Sequence, residues 1–144
     1  MKPVLHIDDM YSHNPEDFPT LRSFLAEKGF QLYGIARFED AQRTYNSKKF
    51  PEIVIMDILY TDGLGGEVQR GVDIAKAMEE SNQASSQSPC IIYYTGARKD
   101  DPSIELILRH DAYTPIVFKS MDPSKDARDI YDHFPESLRI AKSN

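Results

Sequence analysis

Four short apolar runs along this chain each end in a residue that carries chemistry. Val4-Leu5-His6-Ile7 leads into Asp8-Asp9, and Ile53-Val54-Ile55-Met56 leads into Asp57. Ile91-Ile92-Tyr93-Tyr94 leads into Thr95-Gly96-Ala97, and Ile116-Val117-Phe118 into Lys119. These runs read as strands, and amphipathic stretches lie between them. Strands are expected at Pro3–Asp8, Phe30–Ala36, Glu52–Asp57, Cys90–Thr95 and Thr114–Lys119. Phe18, Leu21, Phe24 and Leu25 recur at helical spacing, which predicts a helix over 16–28 with Gly29 as its C-terminal cap. Phe38-Glu39-Asp40-Ala41 opens a second predicted helix reaching Ser47. Val68, Val72, Ile74, Ala75 and Met78 fit a third over 67–80, after a glycine-bearing loop at Thr61–Gly66. Ile104, Leu106, Ile107 and Leu108 mark a fourth. Pro123 starts a fifth, carried on by Ala127, Ile130, Tyr131 and Phe134. Pro135 should kink or end it, leaving the last nine residues as a turn or a frayed end.

Strands alternating with helices argue for an α/β fold with a mostly parallel sheet. Five such units form a doubly wound, five-stranded flavodoxin-like sheet of order 2-1-3-4-5, with helices on both faces. Ligands of such sheets bind outside the carboxyl ends of the strands, at the switch between strands 1 and 3. Asp8, Asp9 and Asp57 would therefore share one crevice, although they are far apart in the chain. An acidic pair alone often solvates a strand end or caps the next helix. In register with a third acid, a hydroxyl and an amine, it suits a divalent cation and a phosphoryl group.

At 144 residues the chain is expected to be one domain, 1–144, long enough to bury a sizeable core. The net charge of -6 argues against direct nucleic-acid binding, which needs a basic face. Cys90, the lone cysteine, excludes an internal disulfide and a cysteine-based zinc site. Neither a leader peptide nor an apolar run nearing ~18 residues is visible, so no membrane insertion and a cytoplasmic location are expected. His6 falls in a central strand and reads as a packed core histidine. Gly63, Gly65 and Gly66 lack the spacing of a dinucleotide loop or a P-loop and read as turn chemistry.

Taken together, these residues resemble the receiver domain of two-component response regulators, in its stand-alone, chemotaxis-type form. The resemblance covers about residues 3–134, with 135–144 as a C-terminal extension. It rests on Leu5-His6-Ile7-Asp8-Asp9, on Ile55-Met56-Asp57-Ile58, on Thr95-Gly96-Ala97 and on Lys119, with Phe38-Glu39-Asp40-Ala41 and Asp62-Gly63 as lesser pieces. The resemblance implies phosphoryl transfer from a phosphohistidine to Asp57. It makes Asp57 the phosphoacceptor, with Thr95 and Lys119 as catalytic contacts to the phosphoryl group. Asp8, Asp9, Asp57 and the backbone carbonyl of Leu59 would hold Mg²⁺, a hard cation that takes oxygen ligands. It implies a sensor histidine kinase or a histidine phosphotransfer protein as donor. The unknown output protein would dock on the fourth helix, fifth strand and fifth helix. The chain would catalyse its own phosphorylation and dephosphorylation without turning over an independent substrate.

The chain departs from the family's pattern at several positions. Ser120 stands where proline usually follows the lysine, and Ile116 where an aromatic ring usually precedes it. Phe118 and Tyr113 are the aromatic candidates for that ring's part. Leu59 and Ala97 are apolar where polar side chains often orient a hydrolytic water, which predicts slow loss of phosphate. Two other readings compete. A non-phosphorylated receiver-like interaction module would need no Mg²⁺. An aspartate-based phosphatase would need a second acid two residues after Asp57, where Leu59 stands.

Overall fold

The computed structural model describes residues 1–37, 39–40, 51–61, 68–70 and 89–143. Five strands form a parallel sheet: β1 (Lys2–Ile7), β2 (Phe30–Ile35), β3 (Ile53–Met56), β6 (Cys90–Thr95) and β7 (Ile116–Phe118). Two further strands, β4 (Leu59–Thr61) and β5 (Val68–Arg70), pair antiparallel as a separate ribbon. The order of the main sheet is β2-β1-β3-β6-β7. That is 2-1-3-4-5 for the parallel strands, the doubly wound order expected. Four α-helices accompany the strands among the described residues: α1 (Pro19–Glu27), α2 (Pro102–His110), α3 (Pro123–Asp132) and α4 (Glu136–Ser143).

The central strands are buried on both faces, which is why their sequences are nearly continuous apolar runs. Val4, Leu5, Ile53, Val54, Ile55 and Met56 are all sealed from solvent. Alternation along each strand sorts these side chains into two layers. One layer joins Leu5, Ile7, Val54, Met56 and Tyr93 to Ile104 and Ile107 of α2. The other joins Val4, Ile53, Ile55, Ile92, Tyr94 and Val117 to Leu21 and Leu25 of α1 and Ala127 and Ile130 of α3. Each fully buried aliphatic side chain contributes about 1.5–3 kcal/mol.

Several element ends differ from expectation for local reasons. The first helix begins at Pro19, not at 16, because Asn14 and Asp17 hold the preceding residues in turns. The Glu16 N–H donates to Asn14 Oδ1 at 3.0 Å, and the Phe18 N–H to Asp17 Oδ1 at 2.8 Å. Phe18 then takes a left-handed backbone (φ 59°, ψ 52°), which a helix cannot contain. The predicted helix over 67–80 is corrected at its start. Val68–Arg70 is a strand, in register with Leu59–Thr61. Three residues are too few for apolar spacing to separate a helix from a strand; residues 71–80 lie outside those described, as does most of the helix predicted from Phe38 to Ser47. Pro135 ends α3 as expected, but the tail then forms α4, and Leu138 packs into the α1/α3 layer.

Candidate functional site

The parallel register brings four strand ends to one edge. Past β1, the Asp8 N–H donates to the Ile35 carbonyl at 3.1 Å. Past β3, the Asp57 N–H donates to the Ile7 carbonyl at 3.1 Å. Beyond β7, the Lys119 N–H donates to the Thr95 carbonyl at 2.8 Å. Asp8, Asp57, Thr95 and Lys119 are thus fixed at their backbones by the ladder itself. Asp9 opens a single 3₁₀ turn (Asp9–Ser12) on the rim.

The side chains converge. Carboxylate oxygens of Asp8, Asp9 and Asp57 lie within 4.8 Å of one another. The Lys119 ammonium is 2.8 Å from Asp8 Oδ2 and 3.6 Å from Asp57 Oδ2. The Thr95 hydroxyl donates to Asp57 Oδ1 at 2.9 Å and accepts from the Ala97 N–H at 3.0 Å. Asp8 and Thr95 are fully buried, and Asp57 nearly so. Asp8 also serves the local role open to any such acid. Its Oδ1 accepts from the Met10 N–H at 3.0 Å and caps the 3₁₀ turn. Leu59 begins β4, two residues past Asp57.

Charge is unevenly distributed in this cleft. Burial pushes the Asp9 carboxyl above its ordinary value, and the neighbouring Asp8 adds to the push. Burial alone would weaken the Lys119 ammonium, but Asp8 and Asp57 outweigh it and hold the group above its usual value. One ammonium offsets one of the three carboxylates. An all-oxygen set with surplus negative charge fits a hard divalent cation, which binds through carboxylates and is indifferent to sulfur or imidazole.

Further side chains around this cleft are not singled out as site residues by their spacing. Phe18 and Tyr94 flank the Lys119 ammonium, which lies 5.3 Å and 5.5 Å from their ring centroids, in cation–π range. His6, sealed beneath them, shares a 2.7 Å hydrogen bond between its Nδ1 and the Tyr11 hydroxyl. Burial first, and the nearby Lys119 and Arg22 cations after it, bring His6 down to about 3 against the pull of Asp8, so the ring is neutral. The core-histidine reading therefore holds. Asp126 of α3, 2% exposed, accepts from both Tyr94 and Ser120. Of the aromatic candidates for the missing ring, Tyr113 projects into solvent, 92% exposed. Phe118 is half-buried, with the Lys99 ammonium over its ring at 5.7 Å. The described residues contain no cis peptide bond, so Ser120 follows Lys119 through a trans bond.

The sheet order, the helices on both faces and the acidic edge define a receiver-type flavodoxin-like fold. Comparison with solved structures finds the same architecture in response-regulator receivers. A receiver domain protein from Clostridium thermocellum superposes with a TM-score of 0.65 at 16% identity, over 97% of this chain and 99% of that one. The signal receiver domain of a Luxo repressor protein from Vibrio parahaemolyticus gives 0.66 at 14% identity, over 97% and 94%. A receiver protein from Pseudomonas putida gives 0.63 at 20% identity, over 91% and 96%. Neither a family model nor a curated protein matches the chain. Likeness at these identities carries the fold; the function has to be argued from the cleft. No helix among the described residues is long and apolar enough to cross a membrane.

Proposed function

We propose that this chain is a phosphoacceptor receiver module of two-component signalling, with Asp57 as the acceptor. The observation that carries this reading is the placement of Asp57. It is buried at the switch-point edge between Asp8–Asp9, Thr95 and Lys119, with a hydroxyl on one oxygen and an ammonium near the other. The donor is a phosphohistidine on a sensor histidine kinase or a histidine phosphotransfer protein. An Asp57 oxygen attacks phosphorus, the P–N bond breaks as the P–O bond forms, and the imidazole leaves with the electron pair. Lys119 neutralises charge on the phosphoryl oxygens as a point charge. The Thr95 hydroxyl turns from the carboxylate to donate to one of them. Asp8, Asp9, Asp57 and the Leu59 carbonyl would hold Mg²⁺, whose charge would offset the repulsion between the carboxylate and the phosphoryl group. The work of the protein is positioning and charge neutralisation rather than proton transfer. Output follows through contact with another protein.

Incubation with phosphoramidate and Mg²⁺, followed by intact-mass measurement, tests the reading. The wild-type protein should gain one phosphoryl group, and Asp57→Asn should gain none. Labelling that survives in Asp57→Asn, or is indifferent to chelation of the metal, would sink it. Once formed, the aspartyl phosphate should be long-lived, because Ala97 is apolar and buried and offers no group to orient water. Decay within seconds in Mg²⁺ would contradict that corollary and leave the acceptor assignment standing.

A further inference from the structure

We propose that Asp126, on α3 and outside the acidic cluster, is a positioning residue for Lys119. The proposal rests on the phosphoacceptor reading for its consequence, though not for its geometry. Asp126 is 2% exposed, and its carboxylate gathers three hydrogen bonds from two segments. Oδ2 accepts from the Tyr94 hydroxyl at 2.8 Å and from the Ser120 N–H at 2.9 Å. Oδ1 accepts from the Ser120 hydroxyl at 2.6 Å. Such bonds to an ionised acceptor are short and strong.

The two partners address Lys119 from opposite ends. Ser120 is its chain neighbour. The Lys119 N–H is held by the Thr95 carbonyl at 2.8 Å, and the next N–H, that of Ser120, is held by Asp126. Both peptide groups flanking the Lys119 Cα are therefore fixed, and with them the direction in which its side chain leaves. Tyr94 acts at the tip. Its hydroxyl is anchored on Asp126, and its ring lies against the ammonium, 5.5 Å from centroid to Nζ. Tyr94 also precedes Thr95 on β6, so the same anchor steadies the hydroxyl that meets Asp57. One carboxylate on α3 thus sets the root and the tip of the cation over Asp57.

This arrangement joins α3 to the site through directed side-chain hydrogen bonds, in addition to the apolar layer that Ala127 and Ile130 share with Tyr94. A shift of α3 along its axis would carry Asp126 away from Ser120 and Tyr94 together. Lys119 would lose its fixed root and part of its aromatic wall in the same movement. An Asp126 that served only to anchor α3 would predict loss of stability without any change at Lys119.

The deciding measurement is the NMR signal of the Lys119 Cε methylene in the full chain, assigned with Lys119→Arg. In the wild-type protein its two protons should be distinct and shifted upfield by the Phe18 and Tyr94 rings. Asp126→Asn should bring the pair toward a single, solvent-like position. Ser120→Ala, which keeps its N–H, and Tyr94→Phe, which keeps its ring, each remove one of the three donors and should do so partially. Phosphoramidate labelling of the same variants should slow by about tenfold for Asp126→Asn, the size expected of a sub-ångström misplacement. Their Mg²⁺ affinity should not fall, since no carboxylate of the cluster is altered and the ammonium that offsets it is loosened. Lys119 signals unchanged in Asp126→Asn overturn the proposal, whatever the labelling rate. If Asp126→Asn does not fold, the double variant Tyr94→Phe/Ser120→Ala, which removes two of the three donors, decides in its place. If the wild-type protein takes no label, the phosphoacceptor reading fails while the Lys119 signal still decides the positioning.

Discussion

The two faces of the sheet are buried to similar depth and built on different terms. The face toward α2 is mostly aliphatic: Leu5, Ile7, Val54, Met56, Ile104 and Ile107 meet there, with Tyr93 and the half-buried Phe118 as aromatic exceptions. The face toward α1 and α3 mixes Val4, Leu25, Ile53 and Ile55 with the rings of Phe30 and Phe134. Nearer the carboxyl edge it also becomes polar. His6, Tyr11, Phe18 and Tyr94 stack edge to face, with separate hydrogen bonds His6–Tyr11 and Tyr94–Asp126 at the two ends of the stack. Aliphatic packing resists change by filling volume, without regard to direction. Hydrogen bonds are directional, and each holds its ring on this face to one partner in one orientation. The first face should therefore govern stability and the second should govern both stability and the position of Lys119.

The largest effect should come from Gly34, which faces His6 across the β1–β2 register. A Cβ there would be driven into the Tyr11 ring. Gly34→Ala should therefore displace Tyr11 and leave His6 buried without its hydrogen bond. Overpacking and the lost buried bond together should cost about 3–5 kcal/mol in urea unfolding. A cost below about 1 kcal/mol would mean that Tyr11 has a second seat, and that the polar face is looser than its distances imply.

The next test separates the faces. Ile107→Ala on α2 should destabilise the protein by about 2–4 kcal/mol through lost burial and a residual cavity. Its labelling rate, measured on folded protein, should match wild type. Tyr94→Phe should cost only about 1 kcal/mol, the net worth of one hydrogen bond, yet slow labelling. A labelling rate that falls with stability in both variants would erase the distinction between the faces.

This division also explains what was legible in the sequence. Asp8, Asp57, Thr95 and Lys119 could be placed together because each ends an apolar strand, and parallel register aligns strand ends. Regular alternation of elements pointed to a parallel α/β sheet; the order 2-1-3-4-5 was a coherent hypothesis for it, and the sheet has that order. The polar face had no such rule. Tyr94 occupies a core-facing strand position and reads as one more apolar residue. Asp126 stands in the first turn of a helix, where an acid is expected to complement the helix dipole. Phe18 reads as the first apolar position of α1, and nothing in its spacing announces a left-handed backbone. Tyr94 and Asp126 are 32 positions apart, and no local period connects them. The departure at Ser120 was visible. Its consequence was not, because it depends on a carboxylate presented by the following helix.

The smallest effect is a pH dependence, and it isolates Asp126. Burial pushes its carboxyl up, but the Ser120 hydroxyl and N–H and the Tyr94 hydroxyl outweigh burial and hold it below the ordinary 3.8. A carboxyl lowered in the folded state contributes stability above its unfolded value. That contribution is lost as pH falls through the folded value. The stability gap between wild type and Asp126→Asn should therefore be full at about pH 6 and narrow below about pH 3.8. Three other shifted groups bear on this window. His6 is held down to about 3, so its burial removes stability as pH falls below its unfolded value, and Asp9 is shifted upward and acts with the opposite sign; both are common to the two proteins and cancel in the difference. Lys119 is shifted upward as well, and its contribution is complete throughout the acid range. Urea unfolding of both proteins across that range reads the gap directly. A gap that stays constant down to about pH 2.5 would mean that the Asp126 carboxylate gains nothing from its three donors. The hydrogen bonds that join α3 to Lys119 would then be contacts without energetic weight, and the polar face would differ from the aliphatic one in composition alone.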